Sequence, residues 1–186
     1  MKEYTKVPLD RIEAIIGPNG DIKKLIEEKS GTVLNINTQT GDVEIDINDQ
    51  VKDLNGHVKG LRTKDVVNAI AGGFDPDHRV FRLLNNDLLM FETIILSDKT
   101  ETSLKRMKGR IIGGTGGGRK AFEDITGVHI SVHGNTVGLI GFPECNKAAR
   151  WGITMLIKGL APKMVYNMLE KRIDKVNFPH LKTGVQ

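Results

Sequence analysis

The sequence predicts an α+β protein made of two copies of one unit, β-α-α-β-β-α, in tandem with an extra C-terminal helix. Three observations predict this. First, Ile15-Ile16-Gly17-Pro18-Asn19-Gly20 recurs 96 residues later as Ile111-Ile112-Gly113-Gly114-Thr115-Gly116. The register then continues without a gap: Lys23 and Lys24 answer to Arg119 and Lys120, Glu27 and Glu28 to Glu123 and Asp124. Ser30-Gly31 answers to Thr126-Gly127, and Leu34 and Ile36 to Ile130 and Val132, so one structural unit occurs twice. Second, in both copies a helical apolar stripe gives way, after a Gly stop, to strict alternation. Third, 186 residues suit two domains of roughly 90 each. The division is expected at residues 1–85 and 86–186. Cores that small are modest, so the halves are expected to pack on each other.

In the first copy, residues 3–7 form a short strand. Pro8 suits a helix start, and Leu9, Ile12, Ile15 and Ile16 fall on one helical stripe. Residues 17–20 break that helix, because consecutive turn residues cannot continue it cheaply. Asp21 opens a second helix with Ile22, Leu25 and Ile26 inward, and Ser30-Gly31 ends it. Leu34 and Ile36 alternate with Asn35 and Asn37. Val43, Ile45 and Ile47 alternate with Glu44, Asp46 and Asn48, and residues 38–41 make the turn between the two strands. Thr63 is placed as the cap of a helix over 65–71, closed by Gly72-Gly73-Phe74. Asp75-Pro76 starts a short helix to Leu84.

The second copy repeats the order. Residues 88–96 form a strand, 102–112 a basic helix, 113–118 the turn and 119–125 the next helix. Strands follow over 128–132 and 136–140. A longer helix runs from about Pro143 to Leu160. Ala161-Pro162 begins the last one, to Val176, and residues 178–186 are expected to be a loose tail.

Charge is mild overall, +4, but unevenly spread. From Ser103 to Lys120 stand Lys105, Arg106, Lys108, Arg110, Arg119 and Lys120 with no acid. Lys158, Lys163, Lys171, Arg172, Lys175 and Lys182 follow against Glu170 and Asp174. Cations flanking a Gly-rich turn are what a polyanion-binding surface presents. Aromatics are only 5%, which argues against an aromatic stacking platform. Cys145 stands alone, which excludes an internal disulfide and a cysteine metal cluster, and it reads as a buried or inert thiol. No apolar run reaches membrane-spanning length, and Met1-Lys2-Glu3 begins no signal peptide, so a cytoplasmic protein is expected.

Three chemistries use glycine-rich loops. A nucleotide-binding P-loop needs G-x-x-x-x-G-K-[ST]. Residues 113–118 have that glycine spacing, but Lys120 stands where the magnesium-binding hydroxyl belongs. A dinucleotide fingerprint can be forced onto Gly116, Gly118 and Ala121, yet a basic helix rather than a buried strand precedes it. The third reading fits every neighbour. A GxxG between two helices lets a nucleic-acid backbone approach closely, and the second helix offers its N-terminal N–H groups to phosphate. Lys23 and Lys24, or Arg119 and Lys120, add full charges. Ile16, Leu34 and Ile36 can floor a groove for about four unpaired bases.

The segments IIGPNGDIKKLIEEKSG and GRIIGGTGGGRKAFEDITGVHISV resemble the signature of K-homology (KH) domains of the strand-first type I, over nearly the whole chain. DITGVHISVHGNTVGLIG with the Trp151-bearing helix, and TKDVVNAIAGGFDPDHRVFRLL, are similar to the ribosome-assembly KH family called partner of Nob-one, or Dim-two. The intact Gly17-Pro18-Asn19-Gly20 and the missing N-terminal extension resemble its archaeal members. The resemblance implies single-stranded RNA near the 3′ end of small-subunit (16S) rRNA as ligand. It implies the rRNA-maturing endonuclease and translation initiation factor two as partners, and no cofactor. The RNA-binding set is then Gly17, Pro18, Asn19, Gly20, Lys23 and Lys24 in the first copy. In the second it is Lys108, Arg110, Ile112, Gly113, Gly114, Thr115, Gly116, Gly117, Gly118, Arg119 and Lys120. KH loops usually carry a cation between the glycines. Here Pro18-Asn19 and Gly114-Thr115 stand there, which shifts phosphate contact to backbone donors and flanking cations.

His129 and His133 share one strand face without a third metal ligand and read as exposed histidines. Trp151 is expected in the second core or at the domain interface. Two other readings stand beside a non-catalytic RNA-binding factor. One is a component of a nucleic-acid enzyme complex, although such relatives usually add an oligonucleotide-binding barrel for which no residues are spare. The other is a KH adaptor of another RNA-processing or translation-initiation complex, favoured by the acidic strand face Asp42, Glu44, Asp46 of the first copy.

Overall fold

The computed structural model describes residues 1–96 and 100–176. β1 (Lys2–Lys6) leads through a 3-10 turn (Leu9–Arg11) into α1 (Ile12–Ile16) and then α2 (Asp21–Ser30). β2 (Thr32–Ile36) and β3 (Asp42–Ile47) form a hairpin, followed by α3 (Thr63–Ala71) and α4 (His78–Asn85). The order then repeats: β4 (Met90–Ile95), α5 (Glu101–Ile112), α6 (Gly117–Thr126), β5 (His129–His133), β6 (Thr136–Gly141), α7 (Pro143–Ile157) and α8 (Pro162–Lys175). Each copy thus carries a fourth helix, α4 or α8, after the expected six elements.

Both sheets are antiparallel with the last strand central, in the orders β1-β3-β2 and β4-β6-β5. Strands β2 and β5 are therefore edges, the first paired from Thr32↔Ile47 to Ile36↔Val43 and the second from His129↔Ile140 to His133↔Thr136. Alternation sends Leu34, Val43, Ile45 and Ile47 under the helices, while Val33, Asn35 and Asp46 face out. Ile15, Ile26, Ile70 and Leu83 fill the first core. Ile111, Phe122, Leu139 and Ile153 fill the second.

Several helix starts differ from expectation. Leu9 was placed on the inward stripe but is 60% exposed, because the 3-10 turn has three residues per turn and shifts its phase against α1. Thr63 does not cap α3. It is the first residue inside the helix, and its hydroxyl is buried without a hydrogen-bond partner among the described residues. The short helix starts at His78, where the Asp77 carboxylate accepts from the Arg79 N–H at 2.9 Å. Helix α6 starts at Gly117, two residues earlier than its composition suggests, and α7 stops at Ile157. Residues 97–99 and the expected tail at 178–186 lie outside the described residues.

The two sheets meet solvent differently. The outer face of the first is open, with Lys2, Tyr4 and Lys6 exposed. The second is buried on both faces, for Val137, Gly138, Leu139, Ile140 and Gly141 are all inaccessible. Its cover is the Gly72-Gly73-Phe74 corner at the end of α3. Phe74 meets Phe91 edge-to-face at 6.4 Å, and the Ser131 hydroxyl donates to the Gly72 carbonyl at 3.3 Å. Ile140 of the second copy joins the first core. The approach needs glycine: a Cβ on Gly73, at φ +105, would lie 2.4 Å from the Cβ of His133, and one on Gly138 would lie 2.8 Å from the Phe74 ring. Gly73→Ala is expected to destabilise the chain by about 3 kcal/mol through this overpacking. A denaturant melt checks it, and an unchanged midpoint would refute the interface.

Candidate nucleic-acid interface

The two glycine turns have the same backbone. Gly17 and Gly113 sit at φ 71, ψ 175 and φ 72, ψ 174. A single 3-10 turn follows each, Pro18–Gly20 and Gly114–Gly116, with Asn19 and Thr115 left-handed at φ 55 and φ 56. The left-handed region suits Asn but strains a β-branched residue, so Thr115 holds its position at a cost of about 1–3 kcal/mol. The first glycine is demanded by packing. A Cβ on Gly17 would stand 2.3 Å from Ile22 Cγ1, and one on Gly113 would stand 2.7 Å from the Gly118 nitrogen. The last glycine of each turn, Gly20 or Gly116, has nothing within 4 Å of a built Cβ. That open side is where a ligand backbone can come close.

Helices α2 and α6 begin directly at these turns without a side-chain cap. The leading N–H groups, of Asp21 and Gly117, donate to the Pro18 and Gly114 carbonyls within the turns, and the helix dipole makes the uncapped start behind them suited to an anion. The two helices then diverge. Asp21 occupies the first turn of α2, whereas the first turn of α6 holds no acid. Lys23 lies 3.4 Å from Glu27, while Lys24, Arg119 and Lys120 are exposed. These last three make no ion pair among the described residues. Lys108, half-buried, stands one turn before Ile112 on the same face of α5.

Arg110 is held elsewhere. Its Nε donates to the Leu156 carbonyl at 2.7 Å and its Nη2 to Leu160 at 3.0 Å, which satisfies carbonyls at and just beyond the end of α7. It fixes α5 to α7 rather than pointing into the loop. The first copy uses Arg11 in the same way, on the carbonyls of Ile70 (Nε 3.1 Å, Nη2 2.8 Å) and Phe74 (Nη2 3.2 Å). The ungapped repeat pairs Arg110 with Ala14, so this shared device was invisible to it. Tyr166 of α8 braces the other side, its ring edge-to-face with Phe122 at 6.4 Å and its hydroxyl 3.4 Å from the Gly118 carbonyl.

Opposite each turn runs an edge strand. The Leu34 N–H donates to Glu27 Oε1 and the Ile130 N–H to Glu123 Oε1, both at 2.7 Å. The ungapped repeat pairs these two acids. They are ties that fix the edge strand against the second helix, and their only signal was alignment across the repeat. Leu34 is fully buried and cannot floor a groove, whereas Ile16, Ile36, Ile112 and Val132 are partly accessible and can.

The remaining candidates resolve into structural roles. The acidic strand face is not bare. Glu44 accepts from Lys2 Nζ at 2.8 Å, Tyr4 Oη at 3.0 Å and Asn35 Nδ2 at 3.2 Å, and these bonds lower its pKa. Lys6 stands 3.9 Å from Asp42. His129 and His133, expected to be exposed, are both partly buried. Burial lowers the His129 pKa, and His133 Nε2 lies 3.0 Å from Asp10 Oδ2 across the interface. No group of three metal-ligating side chains occurs among the described residues. Cys145 is buried and its thiol pushed up to about 11. Trp151 packs against the second core with the Arg172 guanidinium 4.0 Å from its ring centre.

The glycines of the second turn are expected to separate by role. Gly113→Ala should cost about 2–3 kcal/mol, because the new methyl meets backbone. Gly117→Ala, at helical φ −65 with open space around it, should stabilise by roughly 0.4–1 kcal/mol. Paired thermal melts distinguish the two, and equal shifts would contradict the assignment.

Comparison with known proteins agrees with this geometry. The KH domain family matches residues 2–53, and the family described as eukaryotic type KH-domain (KH-domain type I) matches residues 90–174. A KH domain-containing protein of Methanocaldococcus jannaschii is 35% identical over 94% of this chain and 75% of its own length. Pre-rRNA-processing protein PNO1 of Chaetomium thermophilum is 36% identical over 56% of this chain, which spans 42% of that relative. Among solved structures, a chain of the a/eIF2alpha–aDim2p–rRNA complex from Pyrococcus horikoshii superimposes with a TM-score of 0.83 at 38% identity, covering 95% of this chain and 96% of that one. With two type I KH domains in tandem, the chain belongs to the KH-domain family of archaeal Dim2p and PNO1.

Proposed function

We propose that the chain is a non-catalytic ribosome-assembly factor that binds single-stranded RNA near the 3′ end of small-subunit (16S) rRNA and assists its maturation in the cytoplasm. One observation carries the RNA reading: the second glycine turn presents the start of α6, which has no side-chain cap and no acid in its first turn, beside exposed Arg119 and Lys120. That is the arrangement a phosphodiester backbone requires. The matched PNO1 relative is named for pre-rRNA processing, and the matched aDim2p chain was solved with rRNA and a/eIF2alpha. Residues 1–85 and 86–186 act as the two binding units. The second is the stronger one, through residues 113–118 with Lys108, Ile112, Arg119 and Lys120, while Arg110 positions them. The first contributes residues 17–20 with Lys23 and Lys24. The endonuclease that matures the 3′ end and translation initiation factor two are the protein partners.

A second reading, a KH adaptor of another RNA-processing or translation-initiation complex, draws support from the open first sheet. Tyr4 and Val33 are 61% and 55% exposed there, on a face that no described residue covers. The two readings coexist if RNA occupies the second unit and protein the first.

An oligonucleotide from the 3′ end of 16S rRNA is expected to bind more tightly than a scrambled one of equal length. Affinity should fall with salt, by about 0.7 counterion per phosphate contacted. Gly114→Asp with Thr115→Asp should cost more affinity than Pro18→Asp with Asn19→Asp. Equal binding of native and scrambled RNA at physiological salt removes the rRNA assignment, and equal losses in the two double variants defeat the ranking of the units. Pure protein is expected to neither hydrolyse nucleotides nor cleave RNA. Magnesium-dependent turnover abolished by a substitution within residues 113–120 would overturn that.

A further inference from the structure

Between α2 and α4 runs a groove of 470 Å³ that neither glycine turn uses. Leu25, Pro76 and Phe81 give it an apolar floor, and Lys29, His78 and Arg82 stand around it as exposed bases. Lys29 Nζ lies 5.3 Å from the centre of the Phe81 ring. The one acid in the lining, Asp77, is already satisfied: it caps α4 and accepts from Arg79 Nε at 2.8 Å. An apolar floor rimmed by cations with the only carboxylate neutralised is complementary to a nucleotide, whose base is flat and whose phosphate is charged.

Helix α4, one wall of the groove, also neighbours the second copy. His129 opens the edge strand β5 and pairs with Ile140, and Ile140 belongs to the first core together with Val80, Phe81, Leu83 and Leu84 of α4. Glu123 is itself committed to the Ile130 N–H. The His129 end of β5 therefore lies on the side of the second copy that faces α4.

We infer that the α2–α4 groove is a third RNA contact, which takes a nucleotide of the same single strand as it leaves the second glycine-turn site past His129. The inference rests on the RNA reading of the second unit. It differs from a general basic surface in that occupancy depends on the second turn being filled.

Photocrosslinking tests it in the full chain. Cys145 is buried with its thiol pushed up to about 11, so a cysteine introduced by Arg82→Cys takes a maleimide–benzophenone label alone. The probe is a single-stranded oligouridylate of about a dozen nucleotides, long enough to span more than one four-base site. Binding of the unlabelled protein to this probe is measured first, and its absence would defeat the RNA reading itself. Given binding, crosslinking from position 82 should exceed several-fold that from Tyr4→Cys on the far side of the first sheet. It should also be lost when Gly114 and Thr115 are changed to Asp. In parallel, Lys29→Glu with Arg82→Glu should weaken binding on the order of tenfold. Crosslinking no stronger than from position 4, or undiminished when the second turn is disabled, overturns the inference. So does retention of full affinity by the double charge reversal.

Discussion

A missing Cβ organises each half of this molecule. At Gly17 and at Gly113 the chain leaves one helix and starts the next within a single 3-10 turn, and the next helix packs directly onto the glycine. Ile22 does so in the first copy and the Gly118 backbone in the second. Any side chain there would push the second helix outward. With the helix held close, its N-terminus, which no side chain caps, ends at the surface and its basic residues fall one turn in. The edge strand is then set opposite by a glutamate from the same helix, Glu27 or Glu123. Site and fold share one constraint, which is why two copies with different surfaces keep backbone angles within a few degrees of each other at the first glycine.

The copies diverge in what surrounds that shared frame. The first keeps Asp21 beside its turn and pairs Lys23 with Glu27, so its turn is less electropositive. Its sheet leaves an outer face to solvent, where Lys2 and Tyr4 converge on Glu44. The second carries free cations at its turn and loses its outer sheet face to the Gly72-Gly73-Phe74 corner. Small domains have little surface to spare for burial, and covering one sheet with the other domain enlarges the common core. The uncovered sheet and the uncluttered turn thus end up on different copies, which favours a division of labour between protein and RNA.

Much of this was legible in the residues. The ungapped repeat located both turns and the order of elements, and Gly31 and Gly127 end their helices as expected, whereas the edge positions of β2 and β5 come from the strand pairing. What was missed has one physical cause: long-range partners leave no local pattern. Arg110 looked like a phosphate ligand because its carbonyl acceptors lie 46 and 50 residues away. Glu27 and Glu123 were visible only as matched positions, because a tie to a backbone N–H has no sequence signature. The interface was hidden for a related reason, since Gly73 and Gly138 contribute by having no side chain to read. Helix starts slipped where a 3-10 turn or a capping Asp77 competed with the apolar stripe.

The central claim is that the open second turn seats the RNA backbone on its amide groups. Amide chemical-shift mapping during titration with single-stranded RNA reports on those groups one by one. The largest changes are expected at residues 114–120 and along β5, with smaller ones at residues 18–24. Changes confined to the outer face of the first sheet, around Lys2, Tyr4 and Glu44, with the second turn silent, would contradict it.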